Sequence, residues 1–450
     1  MKRTTAAIWL GSLLIVGCES EIIPPQPTTV PVDAQLRQDL RNWGVIPIGP
    51  MPTQNAAGVA LGRALFFDKI LSGNRDISCA TCHDPVTSIG DGMSLPVGTG
   101  GTGRAPERSL GAGRQFVPRQ APSLLNAGLG MFYMFWDGRL SGTGSNSFFF
   151  QPDTIHLTGE TILAAQALLP VLNRTEMRGR PGDVDGFGNL NELAQMGDED
   201  HEEVWEAIMA RLLDIPEYVD LFQAAFPNLT PLQLRFRHAA EAIAVFQREE
   251  FTKTNSPFDR YLDRDNDALS PEQKRGALFF ASEGQCITCH NGPFLGGQQF
   301  ANIGAPQVGP GVGAEMPLDL GRGEIEDFEG YRFAFRVAPL RNVELTAPYM
   351  HSGAYPTLEA VVEHYSDTPA AMTAYDTNQL PAELRDSYHG DGSTFNALKT
   401  TLDFRLHSPL DFTEEEKRDL VAFLKALTDP AARDLGSLMP ARVPSGLPVP

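Results

Sequence analysis

Long hydrophobic runs are almost missing from this chain. The one apolar stretch, Ala6 to Gly17 behind Lys2 and Arg3, is too short for a comfortable membrane-spanning helix and fits an export signal. Positive charge is also short: 36 Lys and Arg face 56 Asp and Glu, a formal net charge of −20. That argues against nucleic acid as a partner, because the basic footprint is absent. It is compatible with docking a basic protein. Long apolar–polar alternation is scarce, so a mostly α chain with few strands is expected. Gly (43) and Pro (35) are abundant, which predicts long loops between the helices. Cysteine is scarce, with five residues in 450.

Four of the five stand in two copies of C-x-x-C-H: Cys79-Ala80-Thr81-Cys82-His83 and Cys286-Ile287-Thr288-Cys289-His290. This is the spacing for covalent c-type haem attachment. The two thiols add to the two vinyl groups of one haem, and the following His reaches the iron. A redox C-x-x-C or a zinc site leaves the His after both pairs unexplained. Two haems are therefore expected, held by Cys79, Cys82 and His83 and by Cys286, Cys289 and His290.

The fifth cysteine closes Ile15-Val16-Gly17-Cys18, which resembles a bacterial lipobox. On that resemblance Cys18 is lipidated and anchors the protein at the periplasmic side of a bacterial membrane. Export agrees with c-type haems, which in bacteria are attached outside the cytoplasm. No cysteine then remains for a disulfide.

The chain repeats itself. Ala64-Leu65-Phe66-Phe67 precedes the first haem motif and Ala277-Leu278-Phe279-Phe280 the second. This predicts two cytochrome-c-like haem domains, 34–252 and 253–430, joined by a linker near Thr252–Asp267. Residues 1–18 read as a lipoprotein-type signal peptide, 19–33 as a tether and 431–450 as a flexible tail. Ser270-Pro271-Glu272-Gln273 predicts a helix start, and Thr413 with Glu416 a capping box. Val204, Trp205, Ile208 and Leu212 share one helical face, as do Leu232, Phe236, Ile243 and Phe246. Two stretches read as insertions, 140–160 with Phe148-Phe149-Phe150, and the acidic 178–203. In the latter, Asp183 to Asn189 has the look of a calcium loop, but Glu192 stands at position ten rather than twelve, so a Gly-Asp turn is the simpler reading.

Further blocks are Phe135-Trp136-Asp137-Gly138-Arg139, Gln166 with Pro170 and Glu176-Met177, Pro339-Leu340-Arg341-Asn342, and Leu345-Thr346-Ala347-Pro348-Tyr349-Met350-His351-Ser352-Gly353 leading to Thr357-Leu358-Glu359. With both haem motifs, they make residues 36–427 resemble the bacterial di-haem cytochrome c peroxidases and their relative MauG. The resemblance implies that the N-terminal haem is the peroxide site, with Gln166 and Glu176 on its open face. One carboxylate can take a proton from the inner peroxide oxygen and return it to the outer one, while an amide holds the peroxide. It implies that Trp136 lies between the haems as a relay. It also implies one calcium ion between the domains, on the backbone of Thr346 and Pro348 and on Gln120, which replaces the family's Asn.

Two positions depart from the peroxidase pattern. Asp91, in Ser88-Ile89-Gly90-Asp91-Gly92, stands where many members carry a His that caps the resting iron. The first haem is then expected to be open at rest. Tyr365 stands where peroxidases place a Met ligand on the second haem, and MauG carries Tyr there too. Leu358, Val361, Val362 and Tyr365 form one apolar face, with His364 rotated off it. A phenolate is a hard anion that favours oxidised iron, whereas a thioether favours ferrous iron. The expected activity is reduction of hydrogen peroxide with electrons from a small cytochrome c or a cupredoxin. The alternative is a MauG-like oxidation of Trp or Tyr in a partner protein. A non-catalytic electron-transfer cytochrome would need closed haems, which the Gln166/Glu176 pair argues against.

Overall fold

The computed structural model of the protein describes residues 32–142, 148–150, 155–157 and 161–450. The expected signal peptide with Cys18, the tether up to 31 and the loops of the 140–160 insertion lie outside the described residues, as do the side chains of Phe148 and Phe149. No helix among the described residues is long and apolar enough to cross a membrane.

The fold is mostly helical and is built on two helix pairs. Ala56–Phe67 packs against Phe236–Glu250, and Pro271–Ala281 against Glu414–Lys425. Both pairs use a glycine for close approach. A Cβ on Gly62 would sit 1.9 Å from the Ala242 carbonyl oxygen, and one on Gly276 would sit 1.9 Å from that of Asp419. The first pair clusters Phe66, Phe67, Phe246 and Phe251, and the second Phe258, Phe280 and Phe423, in edge-to-face and tilted ring contacts. The expected caps form: Ser270 accepts the Gln273 amide at 3.2 Å, and Thr413 accepts that of Glu416 at 3.3 Å.

Each pair anchors one apolar core, and each core holds one C-x-x-C-H segment at its edge. The expected boundaries shift at both ends of the chain. Helix Val32–Asn42 belongs to the second core, where Leu36 and Leu40 are buried and Lys274 meets Asp33 at 2.9 Å. The last twenty residues, expected as a flexible tail, pack on the first core. Leu435 and Val443 are buried there, Arg442 pairs with Glu217 at 2.8 Å, and the Ser445 hydroxyl donates to Asp68 at 2.6 Å. Pro and Gly there make the backbone irregular without removing its apolar anchors.

Strands are few and short. Tyr133–Met134, Leu140–Ser141, Phe148–Phe150 and Ile155–Leu157 form an antiparallel meander, and Phe300–Ala301 pairs with Phe335–Arg336. Helix His201–Leu213 buries Val204, Trp205, Ile208 and Leu212. The helix expected to carry Leu232 begins only at Phe236, so Leu232 lies in the preceding Pro231–Gln233 turn and is 88% exposed. The Asp183–Asn189 loop is a Gly-Asp turn and its carboxylates are taken. Asp185 pairs with Arg75 at 3.1 Å and accepts the amides of Phe187 and Asn189, while Asp183 pairs with Arg114 at 2.8 Å. The described residues contain no group of three His, Cys, Asp or Glu able to hold a metal ion.

Candidate active site

The first C-x-x-C-H opens as one helical turn, Cys79–Cys82, capped by Ser78 and Thr81. The turn carries its histidine around, so that the His83 amide donates to the Cys79 carbonyl at 2.9 Å. Its ring Nδ1 lies 3.2 Å from the Ile89 carbonyl oxygen. Only an N–H can bond a carbonyl, so Nδ1 carries the proton and Nε2 keeps its lone pair for a metal. Burial pushes the imidazole down to about 4, so it stays neutral, the ligating form. The second motif repeats the design. The His290 amide donates to Cys286 O at 2.8 Å, and His290 Nδ1 donates to Leu295 O at 3.1 Å. All four thiols are free to form thioethers.

His83 faces a cavity of about 590 Å³, within the usual range for a cofactor site. Cys79, Cys82, Gln120, Trp136, Gln166 and Glu176 line it. Gln166 comes from the short helix Ile162–Ala167, capped by Thr161. Glu176 comes from a π-helical turn, Arg174–Arg178, whose cap Asn173 accepts the amides of Thr175 and Glu176 at 2.9 and 3.0 Å. Such turns recur at functional sites, where they redirect a side chain. Burial pushes the Glu176 carboxyl up to about 7, and the Arg139 charge partly opposes the shift. A carboxyl titrating there can serve as both base and acid near neutral pH.

Trp136 is fixed on both sides. Its indole N–H donates to Gln120 O at 2.9 Å, and its own carbonyl accepts the Arg336 amide at 2.7 Å. The next residue, Asp137, is fully buried between Arg119 and Arg139. Arg119 in turn grips Asp319 bidentately at 2.7 and 2.8 Å. This buried network joins residues of the first half of the chain to the second at the point where Trp136 sits. Sequence reading gave no role to Arg119, Arg139 or Arg336. Arg139 and Arg336 line the cavity, and burial pushes Arg336 down to about 10. The Asp of the Trp-Asp-Gly-Arg block was the visible signal for the first two, since a buried Asp needs cationic partners.

Asp91 does not line the cavity. It is 1% exposed, one carboxylate oxygen accepts the Met93 amide at 3.0 Å, and burial pushes it up to about 7. At the second motif, Tyr365 lies on helix Leu358–Ser366 and packs on the same apolar core as Cys286, and burial, followed by the charges of Cys289 and Cys286, raises its phenol. His364 is spoken for. Its Nε2 donates to Ile303 O at 2.7 Å, and its Nδ1 accepts from the Tyr355 hydroxyl at 2.9 Å. With no nitrogen free it is no ligand. Gln120 meets the 346–351 segment through its backbone N–H, which donates to His351 O at 2.8 Å.

The free thiols, the neutral histidines with Nε2 available and the cavity all fit haem. The sequence profile described as di-haem cytochrome c peroxidase matches residues 56–267. The chain is 30% identical over 383 residues to the methylamine utilization protein MauG of Methylorubrum extorquens, covering 84% of this chain and 81% of that one. The chain belongs to the di-haem cytochrome c peroxidase family. It is also 34% identical over 293 residues to the cytochrome c551 peroxidase of Pseudomonas aeruginosa, covering 65% and 67% of the two chains. Among solved structures, a MauG-like protein associated with microbial copper homeostasis superposes with a TM-score of 0.57 at 26% identity, over 87% of this chain and 95% of that one. The protein is thus a haem oxidoreductase of the di-haem c-type kind.

Proposed function

We propose that this protein reduces hydrogen peroxide to water, taking electrons from a small cytochrome c or a cupredoxin. The observation that carries the reading is that Gln166 and Glu176 line the same cavity as Cys79, Cys82 and His83. The haems, when bound, supply the iron that accepts both oxidising equivalents of the peroxide. His83 and His290 hold those irons through Nε2. Glu176, as carboxylate, takes the proton from the inner peroxide oxygen. It then returns that proton to the outer oxygen, which leaves as water. Gln166 orients the peroxide through its amide. Trp136, an oxidisable ring held rigidly at the junction of the two halves, passes an equivalent towards the second haem. Two electrons and two protons complete the conversion of one peroxide to two waters.

A second reading is favoured by two positions. Asp91 lies off the cavity, and Tyr365 packs on the core that holds Cys286. An open first haem and a phenolate-ligated second one suit a MauG-like enzyme that oxidises Trp or Tyr of a partner protein. Calcium on Gln120, Thr346 and Pro348 belongs to the same proposal; the backbone bond from Gln120 N–H to His351 O sets Gln120 next to that segment. So does a lipid anchor on Cys18 at the periplasmic face. Steady-state turnover with reduced small cytochrome and with reduced cupredoxin tests the first reading. Two donor molecules oxidised per peroxide support it. Rapid reaction of the holoprotein with peroxide, with neither donor oxidised, favours the second.

A further inference from the structure

Five of the nine tyrosines fall between residues 349 and 388. Four of these, with one histidine, form an unbroken run of rings leading away from the second haem motif. Tyr365 meets His364 edge-on, with centroids 5.5 Å apart. His364 meets Tyr355 at 5.3 Å, Tyr355 meets Tyr375 at 5.5 Å, and Tyr375 meets Tyr388 at 5.2 Å. Each step is within the range of direct ring contact. The middle of the run is buried and its far end is partly open. His364 is 1% exposed and Tyr355 4%, while Tyr375 and Tyr388 are partly open to solvent.

Oxidising a buried phenol requires somewhere to put its proton, and the structure provides it. The Nε2–H of His364 is committed to Ile303 O at 2.7 Å, which leaves Nδ1 as a bare acceptor. The Tyr355 hydroxyl points at that atom from 2.9 Å. Of the rings in the run, Tyr355 is the buried phenol with a nitrogen base on its hydroxyl. The Tyr375 hydroxyl donates to the Ala354 carbonyl, and Tyr388 reaches solvent. A packing role alone calls for rings of this size but not for an oriented tyrosine–histidine pair in their midst.

We propose that Tyr365, His364, Tyr355, Tyr375 and Tyr388 form a redox relay that carries one oxidising equivalent from the second haem to the protein surface at Tyr388. The proposal rests on the peroxide reading above, since hydrogen peroxide reacting at the first haem is the oxidant. One electron leaves Tyr388 and reduces the second haem centre by one equivalent. The Tyr388 O–H bond breaks, its proton passes to solvent, and a neutral phenoxyl radical remains at the surface. In transit, Tyr355 gives its electron inward and its proton to His364 Nδ1. Both return when Tyr355 is re-reduced through Tyr375.

The test uses the holoprotein with both haems, mixed with one equivalent of hydrogen peroxide without an electron donor. A nitroso spin trap is present, and peptides are mapped by mass spectrometry. Haem absorption is recorded in the same samples, and freeze-quenched aliquots are read by EPR. The relay requires a tyrosyl signal and a trap adduct on Tyr388. The adduct must be lost in Y388F and also in Y355F, where Tyr388 itself is intact and only the inner hydroxyl is missing. A haem spectral change with no Tyr388 adduct, or an adduct undiminished in Y355F, overturns the relay and leaves the peroxide reading standing. No haem spectral change at all defeats the peroxide reading, and the relay with it.

Discussion

Replacing Glu176 by Gln separates chemistry from folding at the peroxide site. The Glu176 carboxyl titrates at about 7, raised from 4.5 chiefly by burial. If its carboxylate form is the base, the second-order rate constant for peroxide falls about tenfold per pH unit below that value, to roughly one hundredth of its plateau two units down. Glu176→Gln keeps the shape and removes the base, so the plateau should fall by about 10²–10⁴-fold and the profile should flatten. Stability should move the other way. A carboxyl whose folded value lies above its unfolded one holds an extra proton in the native state between the two values. Its contribution to stability therefore falls as pH rises from the unfolded value towards about 7. The Glu176→Gln protein lacks that penalty and should melt no lower than the parent in mild alkali. The assay is stopped-flow haem absorption from acid to mild alkali, with thermal melts on the same samples. A Glu176→Gln protein that keeps the parent rate and the same pH slope would refute the reasoning.

Three further outcomes follow from named contacts. Tyr365→Met should raise the reduction potential of the second haem in a spectroelectrochemical titration, because thioether sulfur favours ferrous iron; an unmoved potential would mean that Tyr365 only packs. Arg119→Met leaves Asp319 buried without its cation and should cost about 3–5 kcal/mol in denaturant unfolding. Burial raises both Asp319 and Asp137, but the charge and hydrogen bonds of Arg119, joined by Arg139 at Asp137 and by His351 and the Gly321 amide at Asp319, together outweigh it, so both are held below the ordinary carboxylate range. Their stabilisation is present above the unfolded value and is lost as pH falls through the folded one, so the cost of Arg119→Met should shrink in acid. Truncation after Asp434 removes Leu435 and Val443 from the first core, each a side chain contributing about 1.5–3 kcal/mol, and should lower the melting temperature; an unchanged melt would mean the tail is passive.

The haem-binding residues were legible because C-x-x-C-H is a local pattern in which one turn places two thiols and an imidazole. What sets each imidazole was not, because Ile89 and Leu295 act through backbone carbonyls, which any residue supplies. Gln166 and Glu176 could be paired only through resemblance, since the π-turn that aims Glu176 leaves no periodic trace. Helix periodicity found the face of Val204, Trp205, Ile208 and Leu212. It overran at Leu232 because Pro231 starts a separate turn. The exchange of chain ends between the two cores was hidden for another reason. Helix Val32–Asn42 and the Leu435–Val443 segment carry ordinary apolar residues, and composition does not say which core they enter. Helical phase alone ranks His364 below Tyr365 as a ligand, and the two hydrogen bonds of its ring supply the chemical reason.

The most direct test of the account is absorption of the fully oxidised holoprotein mixed with one equivalent of hydrogen peroxide and no reductant. On the proposed reading of an open first haem, with Asp91 buried off the cavity and Glu176 lining it, a rapid change in the haem spectrum is expected in this experiment. No reaction until the second haem has been reduced would show that another group caps the first iron at rest. The assignment of Asp91 as a non-ligand at an open site would then fail.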